Sequence, residues 1–402
     1  MEAVPAPFWF VQFFKVVGFV LHMIPMGIWF AGLPVVIACA LWNCERARFF
    51  ARRISMQLPV MMALGINFAI VPLLFLQTTY YKAFYTATIL TAWYWIAVIP
   101  IVLVGYYSIY IAAYSHPRGE SDECHLDGKC QAGKRNSRMI AFSILASVCL
   151  ICIAVLNTNG LTLIVSGDQW QAMASMTSHY GAVWGTANNF HDPTLWMRLA
   201  TMFGLGLITA GVWATLDAHF LMRQGAGAKN VPATYRQWTM TLACMLAFLG
   251  VAILTYTEYV VKTDPFAAIK NATSADAIVL PLAVLENPLS AAAHSTLAIA
   301  YPYFGWVLLL ACVTFVVLLL AKTGSALFVA LAAVSHFLTL AAFGIIRQIG
   351  QNAGMAKFSG IEVAKLPELV QWDTLIAFLV CFLLGVGIIA WMIVQCVKCS
   401  KE

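Results

Sequence analysis

Charge is what this sequence has least of. Of its 402 residues only 10% are Asp, Glu, Lys or Arg, while 62% are hydrophobic. Soluble domains carry about 25% charged residues, so a water-soluble enzyme and a basic nucleic-acid-binding surface are both excluded. The net charge of +6 therefore reports topology and anionic lipid. Sequence motifs are scarce as well. The 11 cysteines contain no Cys-x-x-Cys-His: Cys149-Leu-Ile-Cys152 runs into Ile153, and Cys396-Val-Lys-Cys399 into Ser400. Covalent c-type haem is accordingly not expected. Cys124-His125 and Cys130 lack the paired spacing of structural zinc and read as part of a solvated loop. No internal repeat points to a paired-half transporter, and no small-residue cleavage site follows the first apolar run, which reads as a retained helix.

Long apolar runs fill the chain instead. A bilayer core of about 30 Å needs about 20 apolar residues, and such windows recur at 13–42, 57–77, 86–114, 139–157, 195–222, 237–261, 295–321, 325–346 and 371–395. The expected architecture is one all-α domain over 1–402, a polytopic transmembrane bundle of about nine spans. Arg46, Arg48, Arg52, Arg53, Arg138, Arg236 and Lys322 belong to one face, which holds most of the cations. The positive-inside rule then sets the N-terminus outside and the C-terminus inside. Residues 115–138 become a cytoplasmic loop, and 158–194 and 262–294 become outer loops. With 78–85 and 347–370, the outer loops are candidates for a cap on the outer face.

Ionisable residues at membrane depth are functional candidates by default. His22 sits mid-way along the first span, and two readings compete for it: haem or quinone contact, or a hydrogen bond to a neighbouring helix. His294 opens the seventh span, where interfacial solvation competes with ligation. Arg198 and Arg347 sit at outer span ends, suited to haem propionates, a quinone headgroup or lipid phosphate. Glu258, near an outer end, is the candidate acceptor of a quinol proton. His336 beside Ser335 reads as a helix–helix hydrogen bond or a ligand. Asp217 and His219 read as a snorkelling interfacial pair.

Several stretches resemble subunit I of cytochrome bd-type quinol oxidases. They are His22 followed by Pro25 and Gly27, then Gly65-Ile66-Asn67-Phe68 in the second span, Val155-Leu156-Asn157-Thr158-Asn159-Gly160 before an outer loop, and Arg347-Gln348 at an outer span end. The resemblance implies a nine-helix bundle in the bacterial inner (cytoplasmic) membrane with haem iron on His22. This sequence also departs from that pattern. Thr201 stands where the family has its second histidine and Gly344 where it has a glutamate. The methionine region near 295–306 has no Met, and Ile89–Gly105 has no carboxylate.

The resemblance with its departures implies a membrane subunit of a respiratory electron-transfer complex that is not itself an oxygen reductase. It would hold one or two haem b at most and a quinone. Electrons would pass between the quinone pool and an outer-face partner, a periplasmic or multihaem c-type cytochrome, alongside other membrane subunits. The alternative is a cofactor-poor membrane anchor for a periplasmic cytochrome assembly. A transporter is the third reading.

Overall fold

The computed structural model describes residues 3–115, 136–190, 193–221, 233–262 and 296–399. His294, His191, the 262–294 loop beyond its first residue and nearly all of the 115–138 loop lie outside these residues. The described chain is helical almost throughout, as the apolar runs require. With no water to bond exposed peptide groups, a span must satisfy its own backbone.

Eight helical stretches are long and apolar enough to cross a membrane. The first expected span is two helices, α1 (Phe8–Phe30) and α2 (Gly32–Leu41), interrupted at Ala31. They are followed by α3 (Glu45–Thr79), α4 (Tyr81–Leu90), α5 (Ala92–Tyr114) and α6 (Ser137–Val165). A short α7 (Trp170–Met176) precedes α8 (Pro193–Leu216), α9 (Ala233–Lys262), α10 (Thr296–Ala321) and α11 (Ala326–Ser359). The last helix, α12 (Trp372–Cys399), lies at the ninth expected position, with Trp372–Ile388 its shorter apolar stretch among the described residues. α3 has 35 residues and is about 50 Å long, so it overruns a bilayer core at its ends.

Glycine sets the closest helix contact. α8 and α9 cross at Gly204 and Gly250, where a Cβ built on Gly250 would lie 2.5 Å from the Gly204 carbonyl oxygen. Small residues permit this backbone approach, which is the main source of helix association in lipid. Gly250→Ala should therefore destabilise by about 1–3 kcal/mol, although alanine is the better helix former. Gly385→Ala in α12, with open space around its Cβ position, should be neutral or stabilising. Melting of the two variants in detergent checks the contrast, and equal behaviour would refute the contact.

Three of the four segments expected in the cap pack together. Leu76, Tyr80, Phe84, Leu163, Met355 and Val363 form a second apolar cluster, which joins α4 to the end of α6 and to the turn after α11. α6 continues to Val165, so the 158–194 segment begins as helix. It then carries α7 and a two-stranded hairpin, Ser178–His179 with Ala182–Val183. The N-terminal segment is strapped to the chain before α12. Val4 N donates to Pro367 O and Leu369 N to Val4 O, each at 2.9 Å. Glu368 accepts from Phe8 N at 2.8 Å, which caps the start of α1 and satisfies one of its orphan donors.

Candidate cofactor-binding site

α1, α3, α5, α6, α8 and α11 enclose a cavity of about 400 Å³. Its wall is apolar and aromatic, with Phe19, Trp29, Ile66 and Trp95 among the lining residues, and the polar exceptions are His22, Lys15, Arg347, Asn157 and Thr158. Organic cofactors favour this combination of apolar wall and few polar groups.

The imidazole of His22 is held by one bond. Nδ1 lies 2.8 Å from the carbonyl oxygen of Gly65 on α3. A carbonyl only accepts, so Nδ1 carries the proton and Nε2 keeps its lone pair. No hydrogen bond to Nε2 occurs among the described residues, and the side chain lines the cavity. A backbone carbonyl that fixes the tautomer while leaving the other nitrogen open is the arrangement of metal-ligating histidines. Glycine at 65 is required by its neighbour: a Cβ there would lie 2.8 Å from Trp29 Nε1.

Cations collect at one end of the cavity. The guanidinium of Arg347 stacks on Phe19, 4.5 Å from the ring centroid. Arg347 and Arg198 both line a smaller adjoining cavity of about 80 Å³, with Thr201, Met202 and Gln351. Lys15 is 3% exposed. Beside it runs a neutral network. Gln348 Nε2 donates to Tyr80 Oη at 3.0 Å and to Asn352 Oδ1 at 2.9 Å, and Asn352 Nδ2 donates to Gln12 Oε1 at 3.2 Å. Tyr80 donates to Asn352 in turn. Burial pushes the Tyr80 phenol far above its ordinary range, so it stays a donor. No Asp or Glu lines either cavity among the described residues.

Three of the sequence candidates, His22, Arg198 and Arg347, thus come together. Glu258 does not line either cavity; its carboxylate is beside Gly305 on α10. Lys15 is a site residue that the sequence analysis does not single out. A lysine seven residues before His22 in the same helix was the available signal.

Two positions explain the departures from the oxidase pattern. Thr201 turns its hydroxyl back to Met197 O at 2.8 Å. A Cβ on Gly344 would already touch Val20 at 3.2 Å and Phe19 and Val16 at 3.4 Å, so a glutamate there has no room. Elsewhere, His336 makes the helix–helix bond that was one of its readings, 2.7 Å from Thr209 Oγ1. His336→Leu should cost about 0.6 kcal/mol and leave any cofactor spectrum unchanged; a spectral shift would show contact with the cofactor.

Asp217 and His219 require a correction. Both are 2% exposed and so are not a snorkelling pair. Asp217 instead joins Arg53 of α3 through two bonds, Nε to Oδ2 at 2.5 Å and Nη2 to Oδ1 at 2.8 Å. Gln57 also donates to Asp217 at 2.8 Å and accepts from Trp213 at 2.8 Å.

Fold and cavity together define a polytopic helical membrane protein with an amphipathic pocket inside the bundle, in the architecture of the bd oxidases. One solved structure that shares it is the bd oxidase from Geobacillus thermodenitrificans, with a TM-score of 0.61 and 12% sequence identity over 100% of this chain and 99% of that one. At that identity the likeness is one of fold. No family model matches the sequence, and no curated protein does.

Proposed function

We propose that this chain is a membrane subunit of a respiratory electron-transfer complex and holds one haem b in the cavity, with His22 as an iron ligand. The observation that carries the reading is the His22 imidazole on the cavity wall, bonded at Nδ1 to Gly65 and with no bond to Nε2 among the described residues. Haem supplies one-electron chemistry at a potential tuned by its ligand and surroundings. The chain's own residues do the rest. Gly65 fixes the tautomer and direction of His22. Phe19, Trp29 and Trp95 keep water from the macrocycle. Arg347 and Arg198 offer fixed positive charge to its carboxylates. Thr201 and the close packing at Gly344 give no ligands of the oxidase type, which supports electron transfer over oxygen reduction.

On this reading electrons pass between the quinone pool and an outer-face cytochrome, with the N-terminal end of α1 outside. Glu258, which lines neither cavity, accepts the quinol proton only at a separate quinone site, and His294 is the second ligand candidate. The test is the optical spectrum of the purified full-length protein, reduced minus oxidised. A b-type signal of about one haem per chain is expected. A protein with neither haem nor quinone would instead be the cofactor-free anchor.

A further inference from the structure

Lys15 is the buried cation without a role in that reading. Its ammonium lies 3.4 Å from Gln351 Oε1 and 3.9 Å from the centroid of the Tyr80 ring. Both partners are neutral. An ammonium has three N–H donors, and a lysine is almost never fully buried unless paired. Snorkelling to lipid phosphate is ruled out by its 3% exposure. The charged and titratable groups around it are Arg347 on α11, Tyr80 at the end of α3, Arg198 on α8 and His22 on its own helix; none is a carboxylate. Among the described residues no carboxylate faces the Lys15 ammonium, so an anion for it would come from a ligand.

Position says what kind of ligand. Lys15 precedes His22 by seven residues, two turns on the same helical face, which sets it about 10 Å along α1. Phe19 lies midway and carries the Arg347 guanidinium. His22 and Lys15 both line the cavity, so a planar macrocycle held by His22 would have room to extend along α1 towards Lys15. That separation suits a metal at the centre of a porphyrin and the acid groups on its edge. Cations at this end come from three helices, enough for two carboxylates.

We propose that Lys15 receives one of the two carboxylates of a dicarboxylate porphyrin and is the residue by which the cavity selects the free diacid over a neutral or esterified macrocycle. The inference rests on the haem reading above. Arg347, with Arg198 on its other side, serves the second carboxylate. Lys15 therefore sets ligand specificity without touching the metal.

The test uses the full-length chain in lipid nanodiscs, made under haem depletion and titrated with haem b and with its dimethyl ester. Wild type should bind the diacid more tightly. Lys15→Met should weaken the diacid roughly tenfold or more, the worth of a charge-assisted hydrogen bond, and leave the ester unchanged. Lys15→Arg should restore the preference. Equal loss for both ligands, or no loss, overturns the role of Lys15 while leaving His22 as a ligand. Failure of wild type to bind either ligand overturns the haem reading and this inference with it. Should Lys15→Met fail to fold, Lys15→Gln and the wild-type diacid-to-ester ratio still decide, and a wild-type ratio of one refutes the proposal.

Discussion

On the haem reading, His22→Ala should remove the b-type absorbance from the purified protein while the bundle still inserts and elutes as a single species. The effect on the spectrum should be nearly complete, because among the described residues His22 is the one histidine lining the cavity and thioethers alone are weaker ligands. The fold should survive, since the side chain makes one hydrogen bond, to Gly65, and faces a cavity on its other side. Loss of that bond leaves Gly65 O with its place in the α3 backbone ladder, a cost of about 1 kcal/mol. The measurement is the reduced-minus-oxidised spectrum beside a gel-filtration profile. An unchanged spectrum would move the cofactor elsewhere or make the chain an anchor. Imidazole added to the variant should restore part of the signal, which a purely structural role for His22 would not allow.

The largest loss of stability is expected from Asp217→Ala. Asp217 is 2% exposed and takes three hydrogen bonds, two from Arg53 and one from Gln57. Removing one member of a buried pair strands the other, at about 3–5 kcal/mol. The Arg53 side chain is 26% exposed, which lets water relieve part of that and sets the expectation near the lower end. The double variant Arg53→Met with Asp217→Leu should recover most of the loss, since an apolar pair of similar volume avoids the desolvation term. Melting monitored by gel filtration would show it. If Asp217→Ala melts with wild type, the Arg53–Asp217 pair contributes nothing.

The contrast between these two sites shows what the sequence reveals. The bundle was legible because lipid imposes a single rule, about 20 apolar residues per span, and the expected windows all fall on helices. His22, Arg198 and Arg347 were legible because ionisable residues in apolar runs are few. Long-range partners were not. Asp217 sits two residues from His219 and 164 from Arg53, and local pattern favoured the near neighbour. Likewise nothing local marks the Gly65 carbonyl as the partner of His22, 43 residues away. The break of the first span at Ala31 was also missed, because composition is equally apolar on both sides of it. Lys15 was not singled out because a cation near a span end reads as interfacial, whereas packing in the folded chain leaves it 3% exposed.

The strap between Val4 and the 367–371 segment bears on the order of assembly. α1, which carries Lys15 and His22, is synthesised well before the cavity's Arg347 and before its own capping group Glu368, 360 residues beyond Phe8. The cavity wall is complete only once Arg347 has been made. On the haem reading, loading therefore waits for α11, and truncation before residue 368, which removes the strap and the cap of α1, should leave a protein that inserts but retains less haem after purification.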